Sequence, residues 1–332
     1  MARHRFFCID THAAGNPLRL LVGGAPALPH VPMAEKRLIF QERHDWVRRA
    51  LMHEPRGHDA MSGAILYPPA RPDCDIGVLF IEVGGCLPMC GHGTIGTVTA
   101  AIEEGLVVPR TDGRLAIEAP AGRIDVAFRR EGDFVAEVRF HNVPAYLHTA
   151  DVVLDVPDLG ELRVDISYGG NFYAIVEPQR SWPGLDGFGP HRIRALSPLV
   201  RRAAQAAVAP VHPEDARIAG VSHVMWCDRP RDPRADARNA VFYGSGGIDR
   251  SPCGTGTSAR MAQRVARGRL GVGETFVHES LIGTLFYGRV EAATTAGPFA
   301  AIRPSIAGAA CVTGYNTILV DDRDALAHGF LL

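Results

Sequence analysis

A mixed α and β chain built of two similar halves is the fold class the sequence predicts, on three observations. Short β-type runs alternate with helical stretches along the whole length. The phrase Cys-Gly-X-Gly-Thr occurs twice, at Cys90–Thr94 and at Cys253–Thr257, each copy opening onto residues that favour a helix. A length of 332 residues is too great for one small domain and comfortable for two, each able to bury its own core.

The elements follow in order. Arg5–Asp10 reads as a strand that ends in the turn Thr11-His-Ala-Ala-Gly15-Asn-Pro17, before the apolar run Leu18–Val22. From Pro32 to Met52 the spacing of Met33, Leu38, Ile39, Trp46, Val47, Ala50 and Leu51 is helical. Ser62–Tyr67 and Ile76–Val83 form a strand pair separated by a proline-rich breaker. After Cys90, Thr94–Glu104 predicts a helix of small and β-branched residues closed by Gly105, a composition that suits burial on every side. Strand-like runs at Leu115–Glu118, Arg123–Phe128 and Phe134–Val138 then lead to Ile166–Val176. A helix over Leu196–Val208 precedes strands at Val221–Cys227 and Asn239–Tyr243, and the second cysteine turn. The helix Ser258–Gly268 ends in basic residues and glycine, as helix C-termini do. Strands at Glu274–Val277 and Leu285–Val290 follow. Cysteine turn, buried helix and flanking strands thus occur once in each half. The stretch Pro144–Pro157 is the expected boundary: 1–147 carries Cys90, 148–310 carries Cys253, and 311–332 is a stretch that can return to the first domain.

Composition narrows the partners. Lys+Arg 35 against Asp+Glu 36 leaves a formal charge of −1, with no basic stripe, so nucleic acid is not an expected ligand. No run approaches the ~18 to 20 apolar residues of a membrane span, and Asp10 interrupts the apolar start where a signal peptide would continue. The cytoplasm is the expected compartment. Seven scattered cysteines fit a reducing environment better than a disulfide framework. Cys8 and Cys227 lie in apolar runs and read as buried hydrophobes; Cys90 and Cys253 alone sit in Gly-rich turns.

A Gly-rich turn entering a helix presents backbone N–H groups and the positive end of the helix dipole, which favours a thiolate and can bind a carboxylate. Two such turns suit proton transfer at a carbon α to a carboxylate. Inversion there needs proton removal on one face and return on the other, and a thiolate with a thiol supplies both. Each positioned acid or base contributes roughly 10²- to 10⁴-fold. A metal reading of Cys86-x-x-x-Cys90-x-His92 lacks a second ligand pair and would consume the nucleophile. Asp10 and His12 are explained equally by a strand end and turn, and Arg56 with Asp59 by a structural ion pair.

Met89-Cys90-Gly-His-Gly-Thr-Ile-Gly96, Asp249-Arg-Ser-Pro-Cys253-Gly-Thr-Gly-Thr-Ser-Ala259 and His278-Glu-Ser-Leu-Ile-Gly resemble the signature segments of the proline racemase family. The resemblance extends from Asp10–Pro17 through Glu54–Gly57 to Gly314–Thr317 and His328–Phe330, essentially the whole chain. Gly57–Gly63, Gly169–Tyr173 and Ser222–Trp226 are most similar to bacterial 4-hydroxyproline 2-epimerases. The resemblance implies a diaminopimelate epimerase-like fold, two α/β domains that each wrap a curved mixed sheet around a central helix, with the site in the interdomain cleft. It also implies a homodimer, no pyridoxal phosphate or other cofactor, and no metal. Cys90 and Cys253 would be the acid/base pair. Gly91, His92, Gly254 and Thr255 would bind substrate through backbone or side chains, Asp249 would lie near the ring nitrogen, and His223 would meet the 4-hydroxyl. The alternatives are a proline racemase with the same machinery, a trans-3-hydroxyproline dehydratase, which the cysteine at 253 argues against, and a non-catalytic amino-acid or redox binding protein. The pattern departs mildly at Thr11-His-Ala-Ala-Gly, where relatives often have Thr-Gly or Cys-Gly in place of Ala-Ala.

Overall fold

The computed structural model describes residues 2–331, which divide into two compact units, 2–140 with 308–331, and 141–307. The division falls at 140/141 rather than at 147/148 because the Pro144–Pro157 stretch is itself mostly strand: Ala145–Val156 pairs along its length with Gly160–Tyr168. Residues 308–332 join the first unit through a long strand, Ala310–Asp321, antiparallel to Arg3–Ala13.

In the first unit, β1 (Arg3–Ala13) and β2 (Asn16–Gly23) form a hairpin. Helices α1 (Met33–Arg43) and α2 (Asp45–Met52) lead to β3 (Ser62–Tyr67), parallel to β2. The helical stretch expected over 32–52 breaks at His44, whose φ of −131° leaves the helical region while its N–H caps Phe40 O. Then come β4 (Ile76–Glu82) antiparallel to β3, β5 (Gly85–Leu87), the helix α3 (Gly91–Glu103), and β6 (Arg114–Ala119), which runs parallel to β4. β7 (Gly122–Glu131) returns antiparallel to β6, and β8 (Phe134–His141) closes the unit. All residues of α3 from Gly91 to Ile102 are buried, against β1, β2, β3 and the strand Ala310–Asp321. A helix with no polar face has to be enclosed in this way.

The second unit repeats the plan strand for strand. β9 (Ala145–Val156) pairs with β10 (Gly160–Tyr168), which forms a hairpin with β11 (Phe172–Val176). The run Ile166–Val176, read as one strand, is therefore two, turned at Gly169–Asn171. α4 (Leu185–Ala207) bends at Gly189, where φ is +67°, so it starts well before the expected Leu196. β12 (Val221–Asp228) lies parallel to β11, β13 (Ala237–Tyr243) antiparallel to β12, and the short β14 (Gly247–Ile248) leads to α5 (Gly254–Ala266). β15 (Thr275–Glu279) is parallel to β13; β16 (Leu285–Ala296) and β17 (Phe299–Gly308) follow antiparallel, before β18 (Ala310–Asp321) returns the chain to the first unit. α5 packs on β9, β10, β11 and β16, as α3 does on its own strands. Among the described residues, no helix is long and apolar enough to cross a membrane.

Candidate functional site

Both Gly-rich phrases are the first turns of the central helices rather than loops ahead of them, so each cysteine is an N-cap residue. In α3, the Thr94 N–H and Oγ1 both donate to Cys90 O, at 2.9 and 2.8 Å. In α5, the Thr257 N–H donates to Cys253 O at 2.7 Å and its Oγ1 to Pro252 O at 3.2 Å. The threonine four places after each cysteine thus anchors the turn. Helix geometry gives the amides of the three residues before it no partner within the helix, and they meet the positive end of the dipole. Gly93 and Gly256 are required for the sulfurs to lie over those ends, since a Cβ at either would come within 3.0 Å of the local Sγ.

The first sulfur faces an imidazole. Cys90 Sγ is 3.6 Å from His92 Nδ1, and His92 Nε2 is 3.0 Å from Asn16 Nδ2. An amide nitrogen can only donate, so Nε2 accepts and Nδ1 carries the proton that faces the sulfur. Both Cys90 and His92 are buried.

The second sulfur has a different backbone and different company. Cys253 adopts φ +64°, ψ +105°, a conformation that costs a side-chain-bearing residue on the order of 1–3 kcal/mol and concentrates at functional sites. The turn before it compensates: Asp249 Oδ1 accepts from the Ser251 N–H (2.8 Å) and Oγ (2.7 Å), and Ser251 Oγ accepts from the Cys253 N–H at 3.2 Å. Behind it, Asn239 Nδ2 donates to Pro252 O (2.8 Å) and meets the His278 ring at 3.0 Å, while Thr257 Oγ1 lies 2.9 Å from His278 Nδ1. Cys253 packs in an apolar cluster with Tyr173, Ile175, Met225, Cys227, Val241 and Ala259. That burial, reinforced by the Asp249 charge, pushes its thiol up to about 12, while Tyr173, the Gly256 amide and Thr255 pull the other way. Cys253 is therefore a thiol at neutral pH.

Thr255 Oγ1 lies 2.6 Å from Tyr173 OH and 3.9 Å from Cys253 Sγ. His223, on β12, is in register with Tyr173 on β11, and the two rings lie 4.7 Å apart. Its Nδ1 meets Ser222 Oγ at 2.7 Å, so Nε2 is the nitrogen left for a second partner. Burial, with a smaller push from Arg201, lowers its pKa to about 3, and the ring is neutral at working pH. Of the residues singled out in the sequence, Cys253, Gly254, Thr255, Asp249 and His223 gather in the second unit, and Cys90, Gly91 and His92 in the first.

Asp10 is bound by Arg19 through two bonds of 2.9 Å and by Asn316 at 2.8 Å, and His12 Nδ1 accepts from Gly15 N–H, so both serve the strand end and its turn. Ala14 holds that turn at φ +49°. Arg56 is spent on Asp324 and on the carbonyls of Ala50, Leu326 and Ala327. Among the described residues, no three His, Cys, Asp or Glu side chains converge as a metal site would require. Sequence reasoning left out Asn16, Asn171 and Tyr173 as individual residues. One signal was present: Gly15-Asn16-Pro17-Leu18 and Gly170-Asn171-Phe172-Tyr173 share a Gly-Asn pair at the same point of each repeat.

The buried histidines set an acid limit on stability. His223 and His278 both have folded pKa values depressed by burial. The stability they contribute is complete above the unfolded value near 6.5 and drains as pH falls from there toward the folded values. At pH 5 this amounts to a loss of about 2 kcal/mol for the His223 ring, and the His278 ring acts in the same direction. The urea midpoint is expected to fall between pH 7 and pH 5, and His223→Gln is expected to flatten that slope. An unchanged slope would show that His223 takes up its proton alike in the folded and unfolded chain, and would remove it from the acid limit.

Two halves of one plan, each holding a buried cysteine at the N-terminus of an enclosed helix, define a cysteine-based epimerase-type α/β fold. Solved structures share it. A probable proline racemase from Agrobacterium radiobacter K84, with bound carbonate, matches with TM-score 0.91 and 30% identity over 98% of this chain and 96% of that one. A hydroxyproline epimerase from Agrobacterium vitis, with bound trans-4-hydroxy-L-proline, matches with TM-score 0.90 and 27% identity over 99% and 95%. The chain belongs to the proline racemase family, whose pattern it matches over residues 8–331. It is 61% identical to the 4-hydroxyproline 2-epimerase 2 of Rhizobium rhizogenes K84 over 99% of both chains, and 56% identical to the 4-hydroxyproline epimerase of Brucella ovis over 99% of both.

Proposed function

We propose that this chain is a 4-hydroxyproline 2-epimerase that interconverts trans-4-hydroxy-L-proline and cis-4-hydroxy-D-proline. The observation that carries the reading is identity of 56–61% to enzymes of that name along the full length, together with a cysteine at the N-terminus of each central helix. In the direction that starts from the resting protonation of Cys253, Cys90 as thiolate takes the α-proton. The C–H pair passes onto the carboxylate as an enediolate, and the Cys253 S–H protonates the opposite face. The reverse reaction exchanges the roles. First-turn amides of Gly91 and His92, and of Gly254 and Thr255, are suited to hold the carboxylate and its developing charge. Asp249 serves the ring nitrogen. Both sulfurs supply the proton chemistry, so neither pyridoxal phosphate nor a metal enters the cycle. A homodimer and a cytoplasmic location belong to the same reading and are tested by light scattering and cell fractionation.

Polarimetry with trans-4-hydroxy-L-proline, L-proline and trans-3-hydroxy-L-proline tests the substrate. Rotation is expected to change fastest with the first; preference for L-proline would replace the epimerase by a racemase. His223 gives the sharper test, because a hydrogen-bonding group left unpaired in a buried site costs about 1–3 kcal/mol. His223→Ala is expected to lower kcat/KM for 4-hydroxyproline by roughly 5- to 150-fold and for proline by much less. Equal losses on both would make His223 structural.

A further inference from the structure

We propose that Tyr173 is a positioning residue for Cys253: its phenolic O–H, oriented by Thr255 Oγ1 and through it by Asn171, donates to Sγ whenever that sulfur carries negative charge. Tyr173 OH lies 3.3 Å from Cys253 Sγ and 2.6 Å from Thr255 Oγ1, and Asn171 Nδ2 is 3.4 Å from the same Thr255 oxygen. A charged sulfur sets the directions, since it can only accept and Tyr173 OH at 3.3 Å is nearer to it than Thr255 Oγ1 at 3.9 Å. Asn171 Nδ2 can only donate, so Thr255 Oγ1 accepts from it and keeps its own proton to offer Tyr173. Tyr173, with one proton, then has it available for the sulfur, and a thiolate can only accept.

The repeat supports the assignment. In the first unit, Asn16 leads an equivalent line, through His92 to Cys90. Thr255 stands where His92 stands and is too short, 3.9 Å from its sulfur. Tyr173 fills that gap, and its counterpart in the first unit is Leu18, which has no donor. The phenol is fully buried, and its pKa is raised well above 10 by that burial and by Cys253, so it stays a donor across the working range.

The titratable groups around the sulfur are few. Tyr173 faces it from β11, with the neutral His223 ring tilted against the phenol from β12. Cys227, also on β12, shares its apolar cluster. Asp249 lies in the preceding turn, and His278 on β15 reaches it only through Thr257. None of these offers a positive charge, so the Tyr173 line and the helix end carry the stabilisation of a Cys253 thiolate. The kinetic consequence rests on the epimerase reading; the hydrogen-bond line does not.

The test measures iodoacetamide alkylation of Cys253 and Cys90 separately, by peptide mass spectrometry from pH 7 to 9, alongside the pH profile of kcat/KM. A hydrogen bond to a charged group shifts a thiol by roughly 1–2 pH units. Tyr173→Phe is expected to slow Cys253 alkylation about 10- to 100-fold at fixed pH, leave Cys90 within twofold, and move the acidic limb of kcat/KM upward. Thr255→Val is expected to slow Cys253 in the same direction, and Thr255→Ser to keep the wild-type rate; this pair decides the matter if Tyr173→Phe does not fold. Cys253 rates within twofold of wild type in Tyr173→Phe, equal slowing of both cysteines, or equal rates in the valine and serine variants would overturn the proposal. A wild type with no epimerase activity but the expected alkylation pattern would sink the functional reading and leave the hydrogen-bond line standing.

Discussion

Serine at position 253, or at position 90, abolishes epimerisation while the protein remains folded: kcat/KM is expected to fall by at least the roughly 10²- to 10⁴-fold that one positioned acid or base contributes. An alcohol is too weak an acid to return the proton at neutral pH and too weak a base, once neutral, to remove it. Oxygen is also smaller than sulfur, which lengthens the gap to the α-carbon. The two variants are not equivalent, however. Each retains one thiol, and that thiol still reaches one face of the α-carbon. In deuterated water, each single variant is expected to exchange the α-hydrogen of only one epimer, with retention, and the double variant to exchange neither. Proton NMR of the α-position reads this directly. A folded single variant that inverts its substrate at near wild-type rate would remove that cysteine from the chemistry.

How much of this was legible in the chain depends on the element. The duplication was legible because the Cys-Gly-X-Gly-Thr phrase carries its own backbone requirements: glycine next to the sulfur and threonine to anchor the turn. The helices it opens begin at Gly91 and Gly254 rather than at Thr94 and Ser258. Glycine propensity argued for a loop there, and the hydrogen bonds of the anchoring threonines overrode it. The hairpin β10–β11 reads as one strand because its turn, Gly169–Asn171, separates two runs, Val164–Tyr168 and Phe172–Val176, that are buried on both faces. The Pro144–Pro157 stretch reads as a linker because its acidic residues and prolines mask a strand whose outer face is exposed.

The site divides in the same manner. Cys90, Cys253 and the residues next to them declare themselves by local pattern. Tyr173 does not: on its own it is one more aromatic in an apolar strand, and its relation to Cys253 exists only because the β11 register brings it over the start of α5. His223 is legible only through the family resemblance, since nothing local distinguishes it from a satisfied core histidine. Asn16 and Asn171 look like turn residues, which they also are. Their second task, leading a line of donors toward each sulfur, appears only when the two units are compared residue by residue.

The junction beside the second cysteine that leaves no room for a single added carbon is where Gly169 meets α5. A Cβ at 169 would lie 2.3 Å from the Thr255 carbonyl oxygen and 2.4 Å from the Ala259 nitrogen, and neither is the tip of a flexible side chain. The β10–β11 turn is also tied to this helix, with Asn142 Nδ2 donating to both Gly169 O (2.7 Å) and Ser258 Oγ (3.0 Å). Gly169→Ala must therefore move backbone against backbone, at or beyond the upper end of the about 1–3 kcal/mol that overpacking costs. The displaced element is the first turn of α5, which carries Thr255 and follows directly on Cys253. The expected result is a thermal midpoint lowered by several degrees and an epimerase activity reduced by more than the loss of folded protein explains, with Cys253 alkylation altered and Cys90 alkylation unchanged. Gly314→Ala supplies the control, since its nearest neighbour to a new Cβ is Asn316 Nδ2 at 3.9 Å. If Gly169→Ala matched that control in midpoint and turnover, the close packing of β10 on α5 would not be what holds the second cysteine in place.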